Sequence, residues 1–264
     1  MSRQNYYARR RQRQREQVDA ELIERLVRRE RCVQPRIGGR KLYRVLGQEL
    51  AEAGVEVGRD RFFEVLRQRQ LLLEPQPAAF PKTTRSQHYL PVFTNQIKGL
   101  ELTGANQVWL SDITYIRTEE GFLYLALITD KWSRKVVGYH CGDSLEAEGC
   151  LQALEQALRE LPKGARPIHH SDRGCQYCCH EYVERLAARQ LGVSMTQEDH
   201  CAENAQAERL NGILKQEYGL RAKFATKADA LGAVAQGIWL YNTRRLHTTL
   251  GYRVPEQVHR FGLN

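Results

Sequence analysis

Residues 108–116 have the sequence VWLSDITYI, in which β-branched and aromatic side chains predominate. This composition predicts a β-strand. The strand would hold Asp112 near its centre, where an ionised carboxylate is costly unless it is paired or binds a cation. A strand face that is open to water is the alternative interpretation. The stretch therefore predicts a strand with either a functional or a solvent-facing carboxylate.

Strand-like and helix-like patterns alternate along the rest of this half of the chain. Close spacing makes the first three predicted strands an antiparallel meander, and leucines at helical spacing predict the helix that follows. Three antiparallel strands and then strand–helix alternation indicate an α/β fold: a mixed five-stranded sheet with flanking helices. The predicted strands are 108–116, 122–129, 136–139, 167–170 and 191–195, and the predicted helices are 144–161, 180–190 and 204–217.

The basic charge is concentrated in the N-terminal quarter of the chain. Residues 1–75 contain 18 Lys and Arg against 11 Asp and Glu, a net charge of +7 out of +9 for all 264 residues. Six of these arginines lie in the first 15 residues, which form either a solvated arm or the start of a helix. Such an asymmetry favours a polyanionic partner, above all nucleic acid.

The same quarter predicts three helices, with a glycine turn at Gly54 and with Asp60 as a possible N-cap of the third helix. This plan is that of an all-α helix-turn-helix domain, although a small helical bundle that only packs or dimerises has the same pattern. DNA binding is favoured because four arginines lie along the third predicted helix. The predicted DNA-binding arginines are Arg59, Arg61, Arg67 and Arg69.

A proline-rich stretch separates this unit from the sheet, as is typical of linkers. The predicted domains are a helix-turn-helix domain over 1–75, a linker over 76–106, a catalytic core over 107–220 and a C-terminal helical extension over 221–264.

Two more acidic residues stand where they could join Asp112 at one edge of the sheet. Asp172 follows the fourth predicted strand, and strand ends are where α/β folds build their sites; alone, it could equally cap a turn. Glu208 shares a helical stripe with Asn204, Asn211 and Lys215; alone, that stripe could be a solvent face. Three converging carboxylates would suit Mg²⁺, which prefers oxygen ligands, and two ions could serve a phosphoryl displacement.

The spacing then becomes specific, with 35 residues between Asp172 and Glu208 and a lysine, Lys215, seven residues after the glutamate. This pattern resembles the DDE signature of transposases and retroviral integrases, which have an RNase H-like core. The chain most resembles the OrfB transposases of the insertion-sequence-three family. The segments that carry the resemblance are Gly39–Leu42, Trp109–Tyr115, Tyr124–Ala126, Ser133–Gly138, His170–Tyr177, Ser194–Thr196, Asn204–Glu208, Leu214–Glu217 and Tyr241–Tyr252.

The resemblance implies that Asp112, Asp172 and Glu208 are the catalytic, metal-binding triad. It implies hydrolysis at transposon ends, attack of the freed 3′-hydroxyl on DNA, and Mg²⁺ as the cofactor, for which Mn²⁺ can substitute. DNA contacts are expected from Lys215, Asn204 and Asn211. A homo-oligomer on paired ends is implied, as is an OrfA partner or a frameshift fusion. The sequence departs from the family pattern at Glu203, where many relatives carry Asp, and at Cys175, Cys178 and Cys179, where small residues are common.

Three other interpretations compete with this one. A zinc site is conceivable because six His and Cys residues crowd into 12 positions, although a second Cys/His pair at finger-like spacing is lacking. A DNA-binding regulator with an inactive core is the main functional alternative, and a different nuclease of the same fold is another. The crowded residues are His169, His170, Cys175, Cys178, Cys179 and His180.

The remaining features bound the protein class. The longest apolar run, Phe122–Ile128, has seven residues, far below the ~20 that span a bilayer. Seven cysteines without a secretory signal are expected to be reduced, so a cytoplasmic protein without membrane contact is expected. For Trp109 and Tyr115, a place in the core is favoured over a base-stacking role. No mechanism follows from the sequence for Tyr241, Asn242, Arg245 and His247; for His247, helix-end packing is favoured over a phosphate contact.

Overall fold

A computed structural model describes residues 3–74, 89–197 and 203–262, with side chains from Gln17 onward. The chain divides into two compact units, Met1–Pro77 and Ala78–Asn264. Part of the predicted linker, residues 76–88, lies outside the described residues. The predicted domain boundaries within the second unit stay predictions.

The first unit is helical, as predicted. Its helices are α1 (Arg3–Val33), α2 (Gly39–Glu52) and α3 (Arg59–Gln68), which pack around a common apolar core. The predicted N-cap at Asp60 is wrong, because the N-cap of α3 is Gly58, two residues earlier. A Cβ atom on Gly39 would lie 2.8 Å from the Phe63 ring, so glycine allows α2 and α3 to approach closely.

The second unit is built on a mixed sheet, and the predicted five-stranded α/β fold is confirmed. The strand order is β3-β2-β1-β4-β5, in which β1 to β3 are antiparallel and β1, β4 and β5 are parallel. A sixth strand of two residues pairs with β1; it was not predicted, since two residues have no periodicity. The strands are β1 (Val108–Thr118), β2 (Gly121–Asp130), β3 (Val136–Gly142), β4 (Ile168–Ser171), β5 (Gly192–Met195) and β6 (Lys223–Phe224).

Helices cover both faces of this sheet. One face buries Trp109, Ala126 and Ile128 against α4 and α6, and the other buries Ile116 and Leu125 against α7 and α8. These faces alternate along β1 and β2, as the pleat requires. The helices are α4 (Ala147–Glu160), α5 (Cys175–Cys178), α6 (His180–Ala188), α7 (Ala205–Glu217), α8 (Lys227–Thr243) and α9 (Pro255–Phe261), with a 3₁₀ turn at Thr248–Leu250.

The segment Tyr241–Tyr252 closes the C-terminal part of this unit. Arg245 is 7% exposed and makes a bidentate contact with Glu217 at the end of α7, at 2.8 and 2.6 Å. His247 lies 3.1 Å from Arg245 and packs edge-on against the Tyr241 ring. The Asn242 amide satisfies both backbone groups of Val136. These contacts support packing over a phosphate contact for His247.

No helix within the described residues combines the length and the apolar composition needed to cross a membrane.

Candidate active site

The register of the sheet brings Asp112 and Asp172 together. Strands β1 and β4 are parallel, and Leu110 is paired with His170. Continuing this register by two residues places Asp172, just beyond the end of β4, opposite Asp112. Neighbouring strands lie about 4.8 Å apart, so the two carboxylates share one edge of the sheet. The two predicted aspartates are therefore neighbours in space.

Asp112 is partly buried and held in a fixed orientation. One carboxylate oxygen accepts from its neighbour's amide, Ile113 N, at 2.9 Å, and the other accepts from Asn211 Nδ2 at 2.7 Å. The pKa of Asp112 is raised to about 7, first by burial and then by the negative charges of Asp172 and Glu208, while these hydrogen bonds act to lower it. The site therefore concentrates negative charge that a bound cation would relieve.

Helix α7 carries Glu208 to the same place. The helix is tied to β1 at two points, by Asn204 Nδ2 donating to the Ser111 carbonyl at 3.3 Å and by Asn211 donating to Asp112. Glu208 lies four residues after the first tie and three before the second, so all three share a helix face. Its side chain is exposed. The predicted stripe on α7 thus faces the aspartates.

Asp172 begins the loop that completes this edge of the sheet. Its Oδ1 accepts from Gly174 N at 3.0 Å. Gln176 donates to the Leu145 carbonyl at 2.8 Å, and this hydrogen bond ties the loop to the residues just before α4. These loop residues were not predicted, because their proximity to Asp112 depends on tertiary packing. The small cleft between the two aspartates is lined by Asp112, Ile113, Leu145, Asp172, Gly174, Gln176 and Tyr177.

Lys215 lies further along the same face of α7. It is 6% exposed, and its Nζ lies 4.2 Å from the centroid of the Tyr115 ring. Burial lowers the pKa of Lys215 to about 8; Asp112 acts to raise it and Arg117 to lower it. A cation is thus held over an aromatic ring beside the carboxylates. Tyr115 is only partly buried, at the strand edge and not deep in the core.

Asn204 and Asn211, like Lys215, are predicted to contact DNA and are buried. Asn204 is 2% exposed and Asn211 is 8% exposed. Both amide groups donate to β1, and the Asn211 amide donates to the Asp112 carboxylate itself. Direct DNA contact by either residue stays a prediction, and their burial counts against it. Positioning of β1 and Asp112 is the role that their contacts support.

Three of the four predicted DNA-binding arginines face carboxylates within the first unit. Arg59 contacts Asp60 at 2.9 Å, and Arg61 contacts Glu64 at 2.8 Å. Arg69 lies 3.4 Å from Glu24, whereas Arg67 is exposed. Such exposed pairs are worth about 0–1 kcal/mol, so a phosphate could displace them.

The histidines of the proposed zinc cluster make other contacts. His169 is 1% exposed, with Nε2 at 2.6 Å from Ser111 Oγ and 2.9 Å from the Tyr182 hydroxyl. Burial lowers its pKa to about 3. His170 contacts Ser194 Oγ at 2.9 Å. Among the described residues, no group of three or more His, Cys, Asp and Glu side chains is arranged to hold a metal ion, the three carboxylates included.

Comparison with known proteins places these features in a family. The integrase core domain family matches residues 103–201, and a second family of the same description matches residues 189–255. The insertion element IS600 uncharacterized 31 kDa protein of Shigella sonnei is 39% identical over 216 residues, which cover 80% of this chain and 78% of that protein. The transposase InsF for insertion sequence IS3A of Escherichia coli is 35% identical over 191 residues, covering 72% and 66% respectively.

The fold has a counterpart among solved structures. A chain of the simian T-cell lymphotropic virus intasome, solved in complex with PP2A regulatory subunit B56 gamma, aligns with a TM-score of 0.51 at 18% identity. The alignment covers 84% of this chain and 74% of that chain. This likeness concerns the fold, which is that of integrase catalytic cores. Because its sequence matches extend over most of its length, the chain belongs to the insertion-sequence-three family of DDE transposases, enzymes with an RNase H-like integrase core.

Proposed function

We propose that this transposase cuts DNA at the ends of its insertion sequence and joins the freed ends to target DNA, with Asp112, Asp172 and Glu208 as its catalytic carboxylates. The observation that carries the proposal is the register of β1 and β4, which makes the two aspartates neighbours. A hydrogen bond of 2.7 Å from Asn211 to Asp112 supports the proposal, because it holds α7, which carries Glu208, against β1.

The donor set fits a hard divalent cation. All three side chains offer carboxylate oxygens, which Mg²⁺ prefers. The pKa of Asp112 is raised mainly by burial and also by the negative charges of Asp172 and Glu208, and a cation would neutralise those charges. The triad would hold Mg²⁺, with Mn²⁺ as a substitute and two ions as the expected number. When bound, such ions supply activation of an attacking oxygen and stabilisation of a leaving oxygen.

The surrounding residues would orient the carboxylates and the DNA. Asn211 and the Ile113 amide fix both oxygens of Asp112, and the Gly174 amide fixes one oxygen of Asp172. Lys215, which is buried like Asn211, would contact a phosphate close to the cut only if its side chain turns outward. Hydrolysis would release a 3′-hydroxyl at the transposon end, and that hydroxyl would attack a target phosphodiester. One phosphodiester then replaces another, so the joining step needs no nucleotide fuel.

The assay that tests this function uses DNA with the inverted repeats that flank the gene. Wild-type protein is expected to yield cleaved and joined products with Mg²⁺ or Mn²⁺ and none with EDTA, because three carboxylates alone repel a phosphodiester. Products would be resolved on denaturing gels. If well-folded protein binds these ends without cutting them, even with an OrfA fusion, a regulator with an inactive core is the better description.

The first unit would supply DNA affinity through its arginines, and the protein would act as a homo-oligomer on paired ends, alone or with an OrfA partner. Replacing Arg59, Arg61, Arg67 and Arg69 together by Gln is expected to weaken binding. It should also lower the slope of log Kd against log salt by up to about 3.6, since each phosphate contact contributes about 0.9. Fluorescence-anisotropy titrations at salt concentrations from about 50 to about 300 mM would measure the affinity and the slope.

A matched control removes the same charge from the second unit. It replaces four exposed basic residues of that unit by Gln. An equal drop in slope in both variants would mean that the loss reflects net charge and not a DNA surface on α3. The control positions are Arg159, Lys163, Arg166 and Arg189.

A further inference from the structure

An aromatic pair lies beside the turn of the first hairpin, which joins β1 to β2. The Phe122 side chain is 53% exposed, and its ring lies 5.8 Å from that of Tyr115 in an edge-to-face arrangement at 81°. The register pairs Phe122 with Arg117, which is five residues along β1 from Asp112. A single exposed phenylalanine is common on protein surfaces, so its neighbours decide whether it has a role.

Those neighbours lead back to the catalytic carboxylates. Lys215 Nζ lies 4.2 Å above the Tyr115 ring. Lys215 is one helical turn after Asn211, whose amide donates to Asp112 at 2.7 Å. The exposed ring of Phe122 is thus linked to Asp112 through Tyr115 and two neighbouring positions on one face of α7, Lys215 and Asn211.

In the described part of the chain, α7 contacts this edge of β1 at Ser111 and Asp112, but no strand pairs with the edge between these groups. β4 pairs with β1 only at residues 108–110, and β6 pairs with it only at residues 117–118. Between these points, no described strand covers β1 on that side. A DNA strand lying along this edge would pass from the carboxylates to the aromatic pair.

The charges near the pair are mixed, and the acidic ones are engaged. Glu119 is paired with Lys223, and Glu120 accepts from the Lys227 amide at 2.6 Å. Arg117 is exposed and donates to the Arg221 carbonyl at 2.9 Å. A cationic path with aromatic rings is the composition of sites that bind single-stranded nucleic acid, where bases stack on the rings.

We propose that the exposed ring of Phe122, held edge-to-face by Tyr115, is a stacking platform for an unpaired base of the DNA end. At about 3.3 Å per strand residue, the two rings lie roughly 10 and 17 Å from Asp112. With about 3.4 Å per stacked nucleotide, the base is roughly three to five nucleotides from the phosphodiester that is cut. This inference rests on the proposed function, and it assigns to the site a preference for frayed over fully paired ends.

The test replaces bases by 2-aminopurine one at a time at the six positions nearest the cut. Binding of the full chain carrying Asp172→Asn is expected to change the fluorescence at one position in the three-to-five range. Adding Phe122→Ala should abolish that change and weaken binding to a frayed end roughly 5- to 50-fold. Phe122→Tyr should preserve both, whereas Phe122→Leu should not, because it keeps apolar area without a π face.

Phe261→Ala is the matched control, since it removes another exposed phenylalanine, 72% exposed, on α9. It should leave the fluorescence change and the affinity as in the parent. The inference is overturned if Phe122→Ala keeps the fluorescence change, or if Phe122→Leu matches the parent. If wild-type protein does not cleave these ends with Mg²⁺, the proposed function itself fails; if it cleaves them and Phe122→Ala changes nothing, only the platform fails.

Discussion

Replacing Asp112 by Asn, Asp172 by Asn or Glu208 by Gln is expected to lower the rate of DNA end cleavage in Mg²⁺ at least about 1,000-fold, which is ~4 kcal/mol of lost transition-state stabilisation. Each change keeps the side-chain size and removes one negative oxygen donor. When three carboxylates act as a unit, the effects of replacing them on the rate are not additive, so a double variant should cleave little more slowly than a single one. Single-turnover cleavage of a labelled end would measure these rates.

A folding control separates loss of chemistry from loss of structure. Burial raises the pKa of Asp112 to about 7, with Asp172 and Glu208 adding to the effect. This folded-state pKa lies above the ordinary value of 3.8. Ionisation of Asp112 therefore lowers the free energy of unfolding as the pH rises from about 4 to about 7, and the loss persists above pH 7.

In EDTA, Asp112→Asn should therefore unfold at the same or a higher temperature than the wild type above pH 7, with a gain in stability of up to about 4 kcal/mol. The new amide oxygen can still accept from Asn211. Added Mg²⁺ should stabilise the wild type more than the variant. Asp143→Asn is the matched control, since that carboxylate is 67% exposed and pairs with Lys227.

A triad variant that still cuts DNA at near wild-type rate would remove that residue from the catalytic set. A variant that loses DNA binding as well as cleavage would indicate a structural effect instead. Gel-shift affinity for uncut ends, measured beside the cleavage rate, distinguishes the two results.

Local sequence signals predicted the elements of the sheet but not the contacts between them. The β-branched and aromatic composition of residues 108–116 is a local signal, so a strand was predictable. The pairing of Leu110 with His170 depends on residues 60 apart in the chain, and no local pattern encodes such a register. The proximity of Asp112 and Asp172 therefore came from the family resemblance and not from periodicity.

Asn211 shows the same limit on a helix. Spacing placed it on one stripe with Glu208 and Lys215, which the structure confirms as a shared face. Whether that stripe faces DNA or β1 depends on how α7 docks, and the docking buries Asn211 against Asp112. A DNA contact was predicted where the structure has a hydrogen bond within the site.

Gly138 belongs to one of the family motifs, but the sequence alone offers no physical reason for a glycine there. The packing of α4 against β3 supplies that reason. A Cβ atom on Gly138 would lie 2.2 Å from the Ala153 carbonyl oxygen and 2.9 Å from the Ala157 Cβ. Helix α4 therefore rests directly on the backbone of β3. A carbonyl oxygen belongs to the backbone, so no change of a neighbouring side chain can make room for it.

Gly138→Ala is accordingly expected to destabilise the second unit by at least about 3 kcal/mol, the upper end of overpacking effects. Since such units are stable by only about 5–15 kcal/mol, much of the protein should unfold or aggregate at 37 °C, which is about where marginal domains fail. Urea unfolding followed by tryptophan fluorescence reports on this unit, because Trp109, Trp132 and Trp239 all lie within it.

Gly232→Ala is the control for glycine replacement as such. Gly232 is exposed on α8, and a Cβ there would meet nothing within 4 Å. That variant should gain about 0.5–1 kcal/mol, because alanine favours a helix. Adding Ala157→Gly to Gly138→Ala relieves the contact at 2.9 Å but not the one at 2.2 Å, so it should not restore stability. Wild-type stability in Gly138→Ala would mean that α4 can shift away from β3 at little cost, and the close approach would then not be what makes glycine necessary.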